Sequence, residues 1–531
     1  MTSREYWKKR ALLLEALLHD RSEETLLLLA RLYDLAQEEL VRQIERIFAR
    51  YCKGGALTQE QALRLLTVRE TEELRTELEE MLQTAEGEAK REIWARLAAP
   101  AYANRISRLQ ALRDRLYCQC LMLGVDEARY VRDRLADTLE QSYYRTIFDA
   151  QKQAGGVWDF ERLGSNQITA ALATEWSGKN WSQRLWNNNR KFARDVQETV
   201  TVGIMTGQTY PEMRDNLLHT VGTEVNEGAK YNAARLVKTE CAYVANQGHL
   251  MGYQQAGIET YIYLATLDLR TSEICRSLDM KKFPVADAQA GTNLPPMHPH
   301  CRSTTMPDTD ADKLKKLNRF ARDPVTGEAI SVPGDMTYQQ WYHKYVAGNP
   351  DALAAETAVR NRAKDRKQFR EYHAVLGEEM PQSVDAFQKM KYTEPEKWDL
   401  VKLDYSRRTA LAKHPALKLP NAERATAAED KFTKYLFNEE NEKGIAKGRA
   451  FAEQLGYNGS NWQGLRRKIL EGAEKYPATP KQSDQYGTRY QQQMILYGDR
   501  GQPANVVVGW NVRPDGTVTM TTAFVKKVKK S

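Results

Sequence analysis

From residue 4 to about residue 219, apolar positions recur at spacings of three and four. Leu29, Tyr33, Ala36, Leu40, Ile44, Ile47 and Tyr51 thereby fall on one stripe of a helix. Asp20 with Glu23 reads as an N-terminal capping pair and Gly54-Gly55 as a stop, and further helices are predicted over 70–97, 106–123 and 127–151. From about 176 to 307, helices give way to a short strand-like stretch at Tyr261, Ile262, Tyr263 and Leu264, which is an α+β pattern. Residues 308–335 are rich in Asp, Lys, Pro and Gly and have the composition of a linker. A charged helical stretch then runs from Thr337 to about Lys418, punctuated by Pro381, Pro395 and Pro415. It reads as a spacer that holds the last domain away from the body.

The final stretch predicts a helix over 445–455, stopped by Gly456, and a second over 461–475, with Ser460 and Gln463 as a capping box and Pro477 as its end. The period then changes to two. Stretches 488–497, 504–512 and 517–525 are separated by Gly498-Asp499-Arg500-Gly501 and Pro514-Asp515-Gly516, so a three-stranded meander follows two helices. The whole reads as a multidomain, mainly α protein. Its parts are a long helical N-terminal region (1–175), a central small α+β domain (176–307), a linker and helical spacer (308–429) and a small α+β C-terminal domain (430–531).

At 531 residues the chain is too long for one core, in keeping with that division. Its longest apolar run, around Leu26 to Ala30, falls far short of the roughly 20 residues that span a bilayer, so no membrane anchor is expected. Lys8, Lys9 and Arg10 precede an apolar stretch, but Glu15, His19 and Asp20 interrupt it before it reaches the length of a signal-peptide core. The start is therefore read as part of a helix in a chain kept in the cytosol. Six cysteines (Cys52, Cys118, Cys120, Cys241, Cys275 and Cys301) do not make a disulfide framework in a chain this long. Charge is unevenly placed: residues 431–531 hold 17 Lys/Arg against 9 Asp/Glu, whereas residues 1–430 hold 61 of each. The net +8 thus sits in the last fifth, as in a nucleic-acid-facing module or a solvated basic tail, here Lys526, Lys527, Lys529 and Lys530.

One segment carries a motif. Arg235-Leu-Val-Lys-Thr239-Glu240, with Asn246, Tyr253 and Gly257, leads through Leu267-Asp268-Leu-Arg270-Thr271 to Cys275, Asp279 and Phe283, and closes on Pro295-Pro296-Met-His298-Pro299-His300-Cys301-Arg302. This order resembles the Mu F-like domain of tailed-phage minor head proteins, in which an Arg-Thr-Glu helix, an Asp-Arg-Thr and Cys segment and a closing Pro-Pro-x-His-Pro-x-Cys-Arg recur. The resemblance covers roughly 176–307. It implies a low-copy structural protein bound near the portal inside the head, contributing to head assembly and to DNA packaging or ejection. Portal, capsid or scaffold proteins would be its partners, and it would be made in the bacterial cytoplasm and carried in the virion.

Read from the residues alone, Cys275 and Cys301, 26 positions apart, with His298 and His300 beside the second, form a candidate structural zinc set. Pro299 restricts the residue before it and would stiffen such a site. Two other readings stand beside it: a buried thiol and imidazole cluster that only packs, and a Cys-His nucleophile arrangement with Asp268 or Glu240.

The C-terminal stretch has its own resemblance. Lys431-Phe-Thr-Lys434-Tyr435-Leu436, Lys443-Gly444, Lys447 to Phe451, Gly456-Tyr457 and Trp462 look like a small uncharacterised domain family, itself similar to the barnase, EndoU, colicin and RelE-like nuclease fold of toxins. No histidine follows His414 and no cysteine follows Cys301, so His-based acid–base work and a Cys/His metal centre are excluded there. A metal-independent ribonuclease would use Lys443 and Lys447 on one helix face to hold the scissile phosphate. Arg489, Tyr490, Thr521 and Thr522 would form the opposite wall. The alternatives are a module that binds DNA or RNA without catalysis and a structural decoration with solvated lysines. For the whole chain, the competing class is a polymorphic-toxin nuclease delivered by its N-terminal parts.

Overall fold

The three-and-four spacing near the N-terminus forms one long helix, α1 (Ser3–Tyr51), which buries Leu29, Tyr33, Leu40, Ile44 and Ile47 along one side. This is a computed structural model that describes residues 3–52, 56–99, 106–222, 228–308, 318–498 and 501–527, with side chains from Glu23 onward. Helix α1 runs through Asp20, so no helix starts there; the Asp20 side chain and Gly54-Gly55 lie outside what is described. The chain is 63% helical and divides into two compact units, 1–344 and 345–531. Among the described residues no helix is long and apolar enough to cross a membrane.

In the first unit α1 is followed by α2 (Gln59–Leu63), α3 (Val68–Thr84), α4 (Gly87–Leu97) and α5 (Arg108–Ala154). The stretch expected as one helix over 70–97 is thus two. The two expected over 106–123 and 127–151 are one helix of 47 residues, capped by Ser107 and ended by Gly155 in the left-handed conformation. Then come α6 (Ser165–Ala173), α7 (Trp181–Met205), α8 (Tyr210–Val221) and α9 (Gly228–Gln255), with α9 laid most extensively along α5.

Three short strands complete the motif region. They are β1 (Thr260–Leu264), β2 (Lys282–Pro284) and β3 (Thr304–Pro307), with a short helix, α10 (Glu273–Leu278), between the first two. The sheet is antiparallel in the order β2-β1-β3. Where a linker was expected, residues 318–333 form a hairpin of β4 (Asn318–Arg322) and β5 (Ala329–Pro333); residues 309–317 lie outside the description. Its turn is closed by Asp323, which accepts from the backbone N–H groups of Val325 and Thr326. A last helix, α11 (Tyr338–Tyr345), reaches the boundary of the unit.

The second unit contains α12 (Pro350–Leu376), α13 (Val384–Thr393), α14 (Pro395–Lys413), strand β6 (Ala425–Thr426) and a π-helical turn at Lys431–Leu436. Next come α15 (Glu442–Leu455), α16 (Trp462–Ala473) and four strands: β7 (Ala478–Asp484), β8 (Gly487–Tyr497), β9 (Pro503–Val512) and β10 (Val518–Val525). The expected three-stranded meander is the centre of a five-stranded sheet, β6-β10-β9-β8-β7, with β6 parallel to β10.

Helices α12 to α14 do not stand apart as a spacer. Tyr372, Phe387 and Trp398 pack with Ile495 and Tyr497 of the sheet in one hydrophobic cluster. Asp404 of α14 is fully buried, bonded to Tyr476 (2.7 Å), Tyr497 (2.9 Å) and Arg408 Nε (2.9 Å). The Ser460–Gln463 capping box is absent: α16 starts after Asn461, whose side chain bonds Asn458 N–H and the Gly456 carbonyl instead. Asp499 and Arg500 of the expected turn, and Lys529 and Lys530 of the basic tail, lie outside the described residues.

Within the first unit, Glu127 of α5 is buried and accepts a 3.0 Å hydrogen bond from Tyr33 of α1. Burial pushes its carboxyl up to about 7, with the Tyr33 bond opposing. The folded state therefore favours the protonated form. The contribution to stability is full below the ordinary carboxyl range and is lost as pH rises toward and through 7, by at most roughly 3 kcal/mol. Glu127→Gln should remove this trend, so that the mutant's unfolding midpoint rises relative to the parent's from pH 5 to pH 8; a constant difference would refute a raised Glu127.

Candidate functional site

The motif residues of the first unit are organised by turns before they meet. After β1, the Asp268 carboxylate accepts from Arg270 N–H (2.9 Å) and Thr271 Oγ1 (3.0 Å), closing a tight turn. Ser272 then caps α10 by accepting from Cys275 N–H, which fixes Cys275 in the helix's first turn. In the closing segment Pro295 and Pro296 are buried and Pro299 is exposed. His298 C=O accepts from Cys301 N–H (3.1 Å), a turn in which His300 takes positive φ.

Arg302 then returns to Asp268 with a bidentate pair, Nη2 to Oδ1 at 2.8 Å and Nη1 to Oδ2. Burial alone would raise Asp268; the Arg302 hydrogen bond and charge outweigh it and hold the carboxyl below its ordinary range. This clamp brings the two cysteine segments together.

At the meeting point Cys275 Sγ lies 3.7 Å from Cys301 Sγ and 3.5 Å from His298 Nε2. The ligand atoms of the three residues all lie within 4.8 Å of one another. Tyr263 O–H donates to Cys275 Sγ at 3.3 Å. His298 Nδ1 bonds the Pro299 carbonyl at 2.8 Å. Both cysteines are buried and His298 is half-buried. The Cys301 hydrogen bond lowers the Cys275 thiol, and the same bond raises that of Cys301.

His300 is not in this group. Its N–H donates to Thr239 Oγ1 (3.1 Å), its ring tilts on Tyr231, and burial with Lys238 and Arg235 nearby lowers its imidazole. Neither candidate carboxylate serves His298: Asp268 is held by Arg302, and Glu240 accepts from Trp176 Nε1 (3.0 Å) and Arg184 Nη1 (2.6 Å). The third member of a nucleophile triad is therefore missing from the places where the sequence pointed.

In the second unit Lys447 of α15 is half-buried and donates to Tyr435 OH and Thr522 Oγ1, both at 3.2 Å, beside the rings of Tyr435 and Phe524. A shift in the β10–β9 register between Met520 and Thr522 sets Thr522 opposite Gly509. The other candidates do not join this contact. Lys443 and Thr521 are exposed, Arg489 is exposed and pairs with Asp484 at 3.8 Å, and Tyr490 packs against the hydrophobic cluster under the sheet.

Residues 194–306 match the family described as Phage Mu protein F like protein. This part of the chain belongs to the phage Mu F-like family. That membership supports a phage head protein, a virion component that meets other head proteins. Residues 418–527 match a domain of unknown function, DUF6883. A curated relative, the NAD(+)–arginine ADP-ribosyltransferase EFV of Enterococcus faecalis, is 21% identical over 260 residues, which cover 46% of this chain and 50% of that protein. The chain thus spans about half the length of the curated relative it matches. No solved structure matches.

Two parts of the Mu F-like site escaped the motif. Arg319, in the stretch with linker composition, is buried against Asp279 (Nη2 to Oδ1 2.5 Å, Nη1 to Oδ2 3.1 Å), and Asp279 also accepts from Ala265 and Tyr338 N–H. Tyr263, read only as a strand residue, touches the thiol pair. Neither lies in a sequence pattern that marks it. In the C-terminal unit Tyr435, part of the Lys431 to Leu436 pattern, is a residue that meets Lys447.

The Asp268 carboxylate is buried but Arg302 is exposed, so removing the aspartate's charge breaks the clamp without leaving a buried unpaired guanidinium, at about 1–3 kcal/mol. Asp268→Asn should therefore lower the thermal midpoint of the first unit and raise amide exchange across 295–302, while leaving 350–413 unchanged. Unaltered exchange in the closing segment would show that the Arg302 clamp does not hold it.

Proposed function

We propose that this chain is a minor head protein associated with the portal, acting in head assembly and in DNA packaging or ejection, and that its second unit travels in the particle as an accessory domain. The observation that carries this reading is the Mu F-like match, which includes the closing Pro295 to Arg302 motif, in a chain whose residues 345–531 form a compact unit of their own. The extended helices of the first unit suit docking onto a large assembly. Mass spectrometry of purified particles should find the intact chain at low copy number relative to the major capsid protein. Its absence from particles that are otherwise complete would defeat the reading.

For the second unit we read nucleic-acid contact through Lys447, as a binding module or as an injected ribonuclease. Two of the three N–H groups of Lys447 bond to hydroxyls, which orients the third, in a unit that carries the chain's whole positive excess. Because α12 to α14 cover one face of the sheet, the fragment to examine is 345–531 rather than the C-terminal hundred residues. It should bind RNA with an affinity that falls steeply with salt, and Lys447→Ala should lower the slope of log affinity against log salt by about one. A ribonuclease would in addition arrest growth on expression, with relief by the same substitution. Failure to bind at low salt would end both versions.

A further inference from the structure

We propose that Cys275, His298 and Cys301 bind one zinc ion as three protein ligands, with the fourth coordination position open to water. Zinc bonds of about 2.3 Å to sulfur and about 2.0–2.1 Å to nitrogen, arranged tetrahedrally, require ligand edges of about 3.8 Å between two sulfurs and about 3.6 Å between sulfur and nitrogen. The two edges at Cys275 are 3.7 Å and 3.5 Å, and the third lies within 4.8 Å. Three side chains from two separate turns therefore stand at the spacing of a tetrahedron's corners.

The surroundings suit a metal as well as the spacing does. A carbonyl oxygen only accepts, so the His298 Nδ1 that bonds Pro299 O carries the proton, and the Nε2 lone pair is left facing Cys275. A ligating histidine is commonly fixed in this way, its outer nitrogen donating to a carbonyl. Tyr263 O–H supplies the matching hydrogen bond to a ligand sulfur. Ser272 and the Arg302–Asp268 clamp hold the two cysteine segments independently of any ion, so the set is preorganised.

The set is also bounded. His300, whose ring lies against Tyr231, is not in it, and among the described residues no further His, Cys, Asp or Glu joins the three. A structural zinc is usually closed by four protein ligands, whereas three leave a position for an exchangeable one. The competing account is a metal-free network in which the thiols donate to Nε2 and to each other. It has the same atoms but both thiols free.

The full-length chain, purified without chelator, is the material for the test. About one zinc per chain is expected by elemental analysis, retained in His300→Ala and lost in Cys301→Ser. Because Cys301→Ser can fail by misfolding, the parent protein is also stripped with chelator and titrated with Co²⁺. Thiolate-to-cobalt charge-transfer absorption and tetrahedral visible bands saturating at one equivalent are expected, and a small added thiol should shift those bands by entering the open position. Less than one zinc per several chains, no cobalt spectrum on titration, and two thiols reactive in the native protein would overturn the site. A cobalt spectrum indifferent to added thiol would overturn the open position, and loss of zinc in His300→Ala would overturn the ligand assignment.

Discussion

Two buried aspartates hold the Mu F-like domain in shape. Its sheet has strands of only five, three and four residues, and its local hydrophobic clusters are small. Loops of this kind cannot be fixed by apolar burial alone. Asp268 and Asp279 are each matched to a guanidinium well along the chain, Arg302 and Arg319. A buried carboxylate without its partner costs several kcal/mol, so neither loop can leave while its arginine stays. The two aspartates flank Cys275 in sequence, and the thiol is positioned from both sides as a result. Everything the closing motif does chemically depends on that frame.

The long helices were legible because burial at three-and-four spacing is a strong signal over a long stretch, and α1 buries the stripe that the spacing marks. Where helices stop was much less legible. Gly124 lies inside α5 where two helices were expected, and the reason is lateral: a Cβ there would meet Asn189 Nδ2 at 2.7 Å, so the glycine admits a neighbour and does not break the helix. Pro395 likewise sits in the first turn of α14, where its missing N–H costs nothing. Prolines that looked like interruptions of a spacer therefore fall at element boundaries of a layer that packs against the sheet. The hairpin over 318–333 was hidden for another reason. Its strands bury only Arg319, Ala321 and Val332, and an ion pair with two small apolar residues makes no periodic pattern.

The site was legible in its residue types but not in its membership. Fixed spacing marked Cys275, His298, His300 and Cys301 together, and the turn geometry separates them. His300 takes positive φ and turns toward α9, while His298 is held back by the carbonyl of Pro299. Two histidines one residue apart thus face different partners, which no count of spacings distinguishes. Glu240 and Asp268 are similar cases: each looked free to serve chemistry, and each is consumed by an arginine.

In the C-terminal unit the decisive feature is steric. A Cβ at Gly444 would lie 1.7 Å from the Tyr435 carbonyl, and one at Gly448 would lie 1.9 Å from that of Leu436, so α15 presses against the π-helical turn at a distance only glycine allows. Lys447 stands beside Gly448 on that helix, and its meeting with the Tyr435 hydroxyl follows from the close approach. Lys443 lies four residues before Lys447, yet the spacing that matters is that of the glycines. This separates the two sites in kind. The thiol and imidazole set is locked by the ion pairs of two buried aspartates and suits a ligand that demands one geometry. The amine of Lys447, half-exposed and steadied by two hydroxyls, suits a partner recognised chiefly by its charge.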